Sequence, residues 1–377
     1  MGMRSSLNGL VAGIAVAILL TLAIVGVHAQ SNQTNAPVSS APKMTDDAFK
    51  NIQVLKGVPA DQLMPTMQFI SASLGVQCDF CHVQGAFEKD DKKPKQTARV
   101  MMQMMFAINK DNFNGHREVT CYSCHHGVTD PVTVPVIAEE EPKPMVPPGQ
   151  GETKPALPSV DDVLDKYVKA LGGADALHKI SSRLEKGKAI VFGGRQVPVE
   201  VFTKAPEKRA AVMHMPGGDS VTAFDGQVGW MGAPRMPPRD VSGGELDALR
   251  LDADFSFPTD AKQIFSELKV EGRESLGGSQ AFVVIGRREG QPPVELYFDE
   301  QSGLLLRQVR YLETPLGRLP SQIDYSDYRD SGGVRIPFKW TIARPANRFT
   351  MQMETAETNV PIDDTKFVMP AAPPPTK

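Results

Sequence analysis

The sequence has no surplus of charge of one sign: 41 Lys and Arg stand against 44 Asp and Glu, for a formal net charge of -3. That balance excludes a broad basic surface for nucleic acid or anionic lipid. Cysteine is scarce, with four residues in 377. None of the four lies near the end of the long apolar run at the N-terminus, which argues against a lipid-modified N-terminus. A Ser-His-Asp order, a nucleotide-binding loop and a paired-carboxylate arrangement are all missing, so nothing here argues for an enzyme. No segment repeats internally except one five-residue pattern.

What is present divides into parts. At roughly 100 to 200 residues per domain, the length predicts two folded units with tails. Residues 1–29 read as a signal peptide, with Arg4 in a polar head, an apolar run from Leu10 to Val27, and Val27-His28-Ala29 as a small-x-small cleavage site. The run nearly reaches the ~20 residues that cross a bilayer, so an uncleaved membrane anchor is the rival reading. Either puts the remainder in the periplasm, soluble after cleavage or tethered to the inner membrane. Residues 30–44 are rich in Ser, Asn, Ala and Pro, a flexible spacer.

Residues 45–130 are rich in helix formers, with expected helices at Asp46–Val54, Asp61–Leu74 and Thr97–Lys110, the middle one starting at an Asp placed to cap it. Eight prolines and Glu139-Glu140-Glu141 then mark residues 131–159 as a stiff, solvated linker. After a helix at Val160–Leu171, residues 160–369 alternate in short apolar runs from Ala189–Phe192 to Phe349–Glu354, with turns at Asp225-Gly226 and Gly332-Gly333. The pattern predicts an antiparallel, curved or partly closed sheet, interrupted by helices near 244–251 and 260–268. Residues 370–377 read as a disordered tail.

The repeated pattern carries the chemistry. Cys78-Asp79-Phe80-Cys81-His82 and Cys121-Tyr122-Ser123-Cys124-His125 both fit C-x-x-C-H. In that pattern two thiols form thioethers with the vinyl groups of one haem and the next imidazole ligates its iron. The pair of motifs uses every cysteine and predicts two covalently bound haem c groups. Disulfides or a zinc site are the competing readings. A zinc ribbon, however, places its second C-x-x-C about 15–20 residues after the first and leaves two histidines unexplained. A redox C-x-x-C of the thioredoxin kind belongs in a βαβ unit, which the pattern lacks.

A six-coordinate iron needs a second axial ligand, and a Met thioether there raises the potential. Met64 and Met67 lie on the helix before the first motif; Met101, Met102, Met104 and Met105 lie on the helix before the second. Most methionines at helical spacing are core residues, and Met101, Met104, Met105 and Ile108 share one face. At most one per helix ligates, and periodicity does not separate Met101 from Met104 or Met105.

The stretch Met64 to Phe80, with Leu74-Gly75-Val76, and the stretches Ala98-Arg99-Val100-Met101, Ile108-Asn109 and Val119-Thr120-Cys121-Tyr122-Ser123-Cys124-His125 resemble the cytochrome c subunit of photosynthetic reaction centres. The resemblance covers about residues 46–127. It implies that a Met on the helix before each motif is the distal ligand, which favours Met67 and Met101 over Met64, Met104 and Met105. Better-known members carry four haems, whereas this chain has two motifs. His116 stands where members have a ligand to another haem; here it reads as a surface His, as does His126.

The second unit has another likeness. Ala223 to Trp230, Tyr297 to Leu305 and Asp330 to Phe338 resemble the half-barrel family of outer-membrane lipoprotein carriers and sorting proteins. That implies a curved sheet over a helical lid, with possible lipid or lipoprotein contact. A scaffold or docking role with a filled core is preferred to lipid carriage, and Asp225, Asp299 and Asp330 read as turn residues.

The function expected from these readings is electron transfer between redox protein partners, with a membrane electron-transfer complex or reaction centre among them and no nucleic acid. The rivals are a dihaem peroxidase, which needs one open iron, and a haem-based redox sensor coupled to a ligand of the β unit.

Overall fold

A computed structural model of the chain describes residues 43–131, 156–234, 236–345 and 347–370. The signal or anchor, nearly all of the spacer and linker, and the tail beyond residue 370 lie outside these. Among the described residues no helix is long and apolar enough to cross a membrane.

The first part is helical: α1 (Thr45–Ala48), α2 (Leu63–Leu74), α3 (Cys78–Cys81), α4 (Lys93–Asn112) and α5 (Cys121–His125). The first helix is shorter than expected. The chain turns through Asn51 at φ 60°, and Thr45 N–H donates to Val58 O at 2.8 Å, closing a loop instead of extending a helix. Helix α4 starts earlier than expected because Pro94 sits in its first turn, where a missing N–H costs nothing. Asp61 does not cap α2; its Oδ2 accepts from Ser242 Oγ at 2.7 Å, tying the helical part to the sheet part.

Helix α2 ends at Gly75, φ 67°, where a Cβ would stand 2.1 Å from Gly127 O. Gly127 N–H donates to Ser73 O at 2.9 Å. The approach admits only glycine, and it holds the start of one C-x-x-C-H segment against the end of the other.

The second part begins with α6 (Val160–Ala170), capped by a reciprocal Ser159–Asp162 box, and α7 (Ala174–Leu177). Six strands follow: β1 (Ser182–Ile190), β2 (Gln196–Lys204), β3 (Lys208–Met215), β4 (Gly218–Phe224), β5 (Gly229–Ala233) and β6 (Met236–Val241). Helices α8 (Gly243–Ala253) and α9 (Phe257–Ile264) lead to β7 (Glu267–Leu276), β8 (Ser279–Arg287), β9 (Val294–Asp299), β10 (Leu305–Thr314), β11 (Gly317–Ser331), β12 (Val334–Arg344) and β13 (Asn347–Thr358). They form one open sheet in the order 6-5-4-3-2-1-13-12-11-10-9-8-7, antiparallel at every pairing.

The antiparallel sheet agrees with the sequence pattern. Asp225 and Asp299 are turn residues as expected, their Oδ1 atoms accepting from Val228 N–H at 2.7 Å and Ser302 N–H at 2.6 Å. The helix expected over 260–268 stops at Ile264, because Ser266 N–H donates to Arg287 O at 2.9 Å and opens the β7–β8 ladder.

The sheet is strongly curved. Arg209 on β3 and Leu305 on β10 line the same cavity of about 230 Å³, under the α6 and α8–α9 helices. Six strand steps separate β3 from β10, which in a flat sheet span roughly 29 Å. Tyr167, Tyr325, Tyr328 and Trp340 wall this cavity, and Arg183, Thr203 and Arg209 form a cross-strand row facing it.

The two parts share a core. Leu316, fully buried at the tip of the β10–β11 hairpin, packs with Leu55, Leu63, Phe69, Met102 and Met105 of the helical part. A Cβ on Gly317 would stand 2.2 Å from the Phe69 ring. At the rim Arg117 pairs with Glu313 at 2.5 Å. Leu316→Ala should therefore cost about 2–5 kcal/mol, the range for emptying a buried Leu site, in denaturant unfolding of the full chain. A cost near zero would mean that the hairpin does not seat in the helical core.

Candidate functional site

Each C-x-x-C-H stretch folds as a single helical turn, α3 and α5. The second has a full capping box between Thr120 and Ser123. Asn109, buried on α4, holds the strand leading into it: its Oδ1 accepts from Val119 N–H at 2.9 Å, and its Nδ2 donates to Val119 O at 2.7 Å. None of the four cysteines is in a disulfide, and among the described residues no group of three or more His, Cys, Asp or Glu gathers as a metal site needs. The disulfide and zinc readings therefore find no support in the geometry.

The histidines are held alike. His82 Nδ1 lies 3.0 Å from Phe87 O, and His125 Nδ1 lies 3.0 Å from Val128 O. A carbonyl can only accept, so each Nδ1 carries a proton, and in the neutral ring Nε2 is then the nitrogen whose lone pair can meet a metal. That is the arrangement of a proximal haem ligand, in which the second nitrogen is anchored to backbone.

Both turns meet at one cavity of about 320 Å³. Its lining takes Phe80 and Cys81 from the first turn, Cys121, Cys124 and His125 from the second, and a row of side chains along α4. His82 is half-buried and is not among the lining residues. The wall is mostly apolar, with Lys93 and Asp130 also lining it, and burial pushes the Cys81 and Cys121 thiols up. Cys121 and Cys124 beside this cradle, with the tautomer-fixed His125 next in sequence, fit a covalently attached porphyrin, and the first motif reaches the same cradle through Phe80 and Cys81.

The methionines separate in a way that the period alone does not reveal. All four α4 methionines line the cavity, but Met102 and Met105, 7 % and 4 % exposed, are also packed in the core around Leu316, whereas Met101 and Met104 are 37 % and 47 % exposed and are not part of that core. The sequence expectation that most of the Met101, Met104, Met105 face is core is thus corrected. The α4 stripe buried against Leu316 runs through Met102, Met105 and Asn109. On α2, Met67 is half-buried at the edge of the same core, while Met64 is 49 % exposed. His116 and His126 are exposed, as expected of surface histidines.

Sequence reasoning missed the side chains that brace the turns. Lys95 is 9 % exposed and donates to the carbonyls of Phe87, Glu88 and Lys89 at 2.9, 3.0 and 2.8 Å. Asp90 Oδ1 lies 3.0 Å from its Nζ, an ion pair whose angle does not make a hydrogen bond; Asp90 Oδ2 accepts from Arg99 at 2.9 Å. Nothing in the local sequence distinguishes Lys95 from Lys92 or Lys93.

Residues 13–185 match a family model described as the photosynthetic reaction centre cytochrome C subunit. The photosynthetic reaction center cytochrome c subunit of Thermochromatium tepidum is 32 % identical over 123 residues, covering 28 % of this chain and 30 % of that protein. Cytochrome c-554 of Chloroflexus aurantiacus is 35 % identical over 83 residues, 20 % of each chain. The chain thus spans under a third of these curated relatives. A LolA superfamily protein from Nitrosomonas europaea is similar in structure, with a TM-score of 0.38 and 13 % identity over 56 % of this chain and 98 % of that one. The N-terminal part of the chain is therefore similar to the reaction-centre cytochrome c subunit family.

Arg99, and after it Asn51 and the Lys95 ammonium, hold the Asp90 carboxyl well below the usual range. A depressed carboxylate pKa contributes stability that is present above the ordinary Asp range and is lost as pH falls through the lower, folded value. Asp90→Asn should therefore unfold less steeply with acid below about pH 4 than the parent chain. Superimposable acid-unfolding curves would show that Asp90 is not braced in this way.

Proposed function

We propose that the chain is an exported c-type cytochrome carrying two covalent haem c groups, and that it transfers electrons without transforming a substrate. The observation that carries this reading is the convergence of two C-x-x-C-H turns, each with its imidazole Nδ1 tied to a backbone carbonyl, on one apolar cavity. Cys78 and Cys81 would anchor one group and Cys121 and Cys124 the other, with His82 and His125 as axial ligands. Met67 and Met101 are the proposed opposite ligands, with Met64, Met104 and Met105 as the fallback set. Met105, 4 % exposed, is shared between the core and the cavity wall. Haem c, when bound, supplies a reversible one-electron couple. The protein's part is to hold each imidazole in one tautomer, exclude water with the α4 side chains and keep the two attachment turns adjacent.

The proposed organisation is a dihaem unit over residues 45–130, a Pro-rich linker over 131–159 and a β unit over 160–369. Export places it in the periplasm, soluble or tethered by residues 1–29. The similarity to reaction-centre cytochromes supports redox proteins as partners, including a membrane electron-transfer complex or reaction centre. A second reading, in which a ligand of the β unit tunes the haem unit, is supported by the aromatic cavity under α6 and by the shared Leu316 core. Its mark is a lipid affinity that changes with redox state.

The intact mass of the purified protein should exceed that of the processed polypeptide by two haems, and carbon monoxide should leave the reduced spectrum unchanged, because closed coordination offers no site. A carbon monoxide adduct at one haem would favour peroxidase chemistry; a mass without haem would remove the reading altogether.

A further inference from the structure

Lys95 and His82 address the same oxygen. Phe87 O accepts from His82 Nδ1 at 3.0 Å and from Lys95 Nζ at 2.9 Å. An ammonium has three N–H groups, and all three of Lys95 are used on the consecutive carbonyls of Phe87, Glu88 and Lys89, which fixes the cation in place. The second turn has no counterpart: among the described residues, His125 is the sole side-chain donor to Val128 O.

This asymmetry has an electronic consequence. A carbonyl that shares its lone pairs with a cation accepts less strongly from an imidazole N–H, so the imidazole is less imidazolate-like and donates less charge to a metal at Nε2. The positive charge itself acts in the same direction, since it favours the form of the iron with lower charge. Asp90 opposes it from 3.0 Å, but Arg99 pairs with the same carboxylate, so the Lys95–Asp90–Arg99 group keeps one net positive charge.

Resting on the dihaem reading above, we propose that Lys95 is a positioning residue which, through the shared Phe87 carbonyl, raises the reduction potential of the haem at His82 above that of the haem at His125. The pair then forms a directed step, with the electron resting at the first motif. Sequence alone gives no such order, because the two motifs are equivalent in pattern.

The test is a spectroelectrochemical titration of the full holoprotein beside Lys95→Met, Lys95→Gln and Lys95→Arg, with the haem content of each fixed by intact mass. Two resolved midpoints are expected in the parent chain. Lys95→Met and Lys95→Gln should lower the upper midpoint and leave the lower one in place, whereas Lys95→Arg, which keeps the charge, should retain both. A shift of the lower midpoint, an equal shift of both, or no shift overturns the proposal. So does an equal change in Lys95→Arg and Lys95→Met, which marks a purely structural brace. Failure of the underlying reading looks different, since it appears as missing haem mass in the parent chain.

Discussion

The hydrogen bond from each histidine Nδ1 to a backbone carbonyl just beyond its own turn is the constraint on which the helical part is built. It fixes one tautomer and frees one nitrogen, and it works only if the carbonyl is itself immobile. The surrounding residues serve that end. Lys95 nails down the loop that presents Phe87 O, and the Gly75–Gly127 approach, with the Ser73 O contact, holds the segment that presents Val128 O. Asn109 fixes the entry to α5 from the buried side of α4. Packing, backbone satisfaction and the readiness of two imidazoles are thus one problem with one solution.

The sheet enters that solution through a single hairpin. Leu316 fills the base of the helical core, Phe69 lies against the bare Gly317, and Arg117 closes the rim on Glu313. A helical unit of this size has little core of its own, and small domains commonly rely on a cofactor or a neighbour to complete one. Here α2 and α4 bury Phe69, Met102 and Met105 against the hairpin, while all four α4 methionines also line the cavity. The β part therefore serves as a support for the candidate site, in addition to whatever its own cavity holds.

Much of this was legible in the sequence, and what was not has identifiable causes. The C-x-x-C-H turns, α2, α4, α6 and most strands follow from spacing, period and glycine turns. Strand β7 was hidden because Glu267–Leu276 is a largely exposed edge with charged residues on both faces, which blurs the alternation. Strand β6 begins Met236-Pro-Pro, a composition that reads as a breaker and that only an edge tolerates. The buried stripe of α4 was misassigned because four methionines in five positions carry no contrast in polarity; only the placement of Leu316 decides which face is covered. Lys95 and Asp61 were invisible for a related reason. Their partners are three backbone carbonyls in one case and a serine hydroxyl across the chain in the other, and neither leaves a pattern in the local sequence.

The central claim is that two irons are each closed by a histidine and a methionine. Near-infrared magnetic circular dichroism of the oxidised protein, wild type beside Met67→Ala and Met101→Ala, addresses it most directly, because a thioether on ferric haem gives a distinct sulfur-to-iron charge-transfer band. The account predicts a band from each of two haems, with each substitution removing one. A haem that lacks the band in the parent protein, or a band that survives both substitutions, would contradict it.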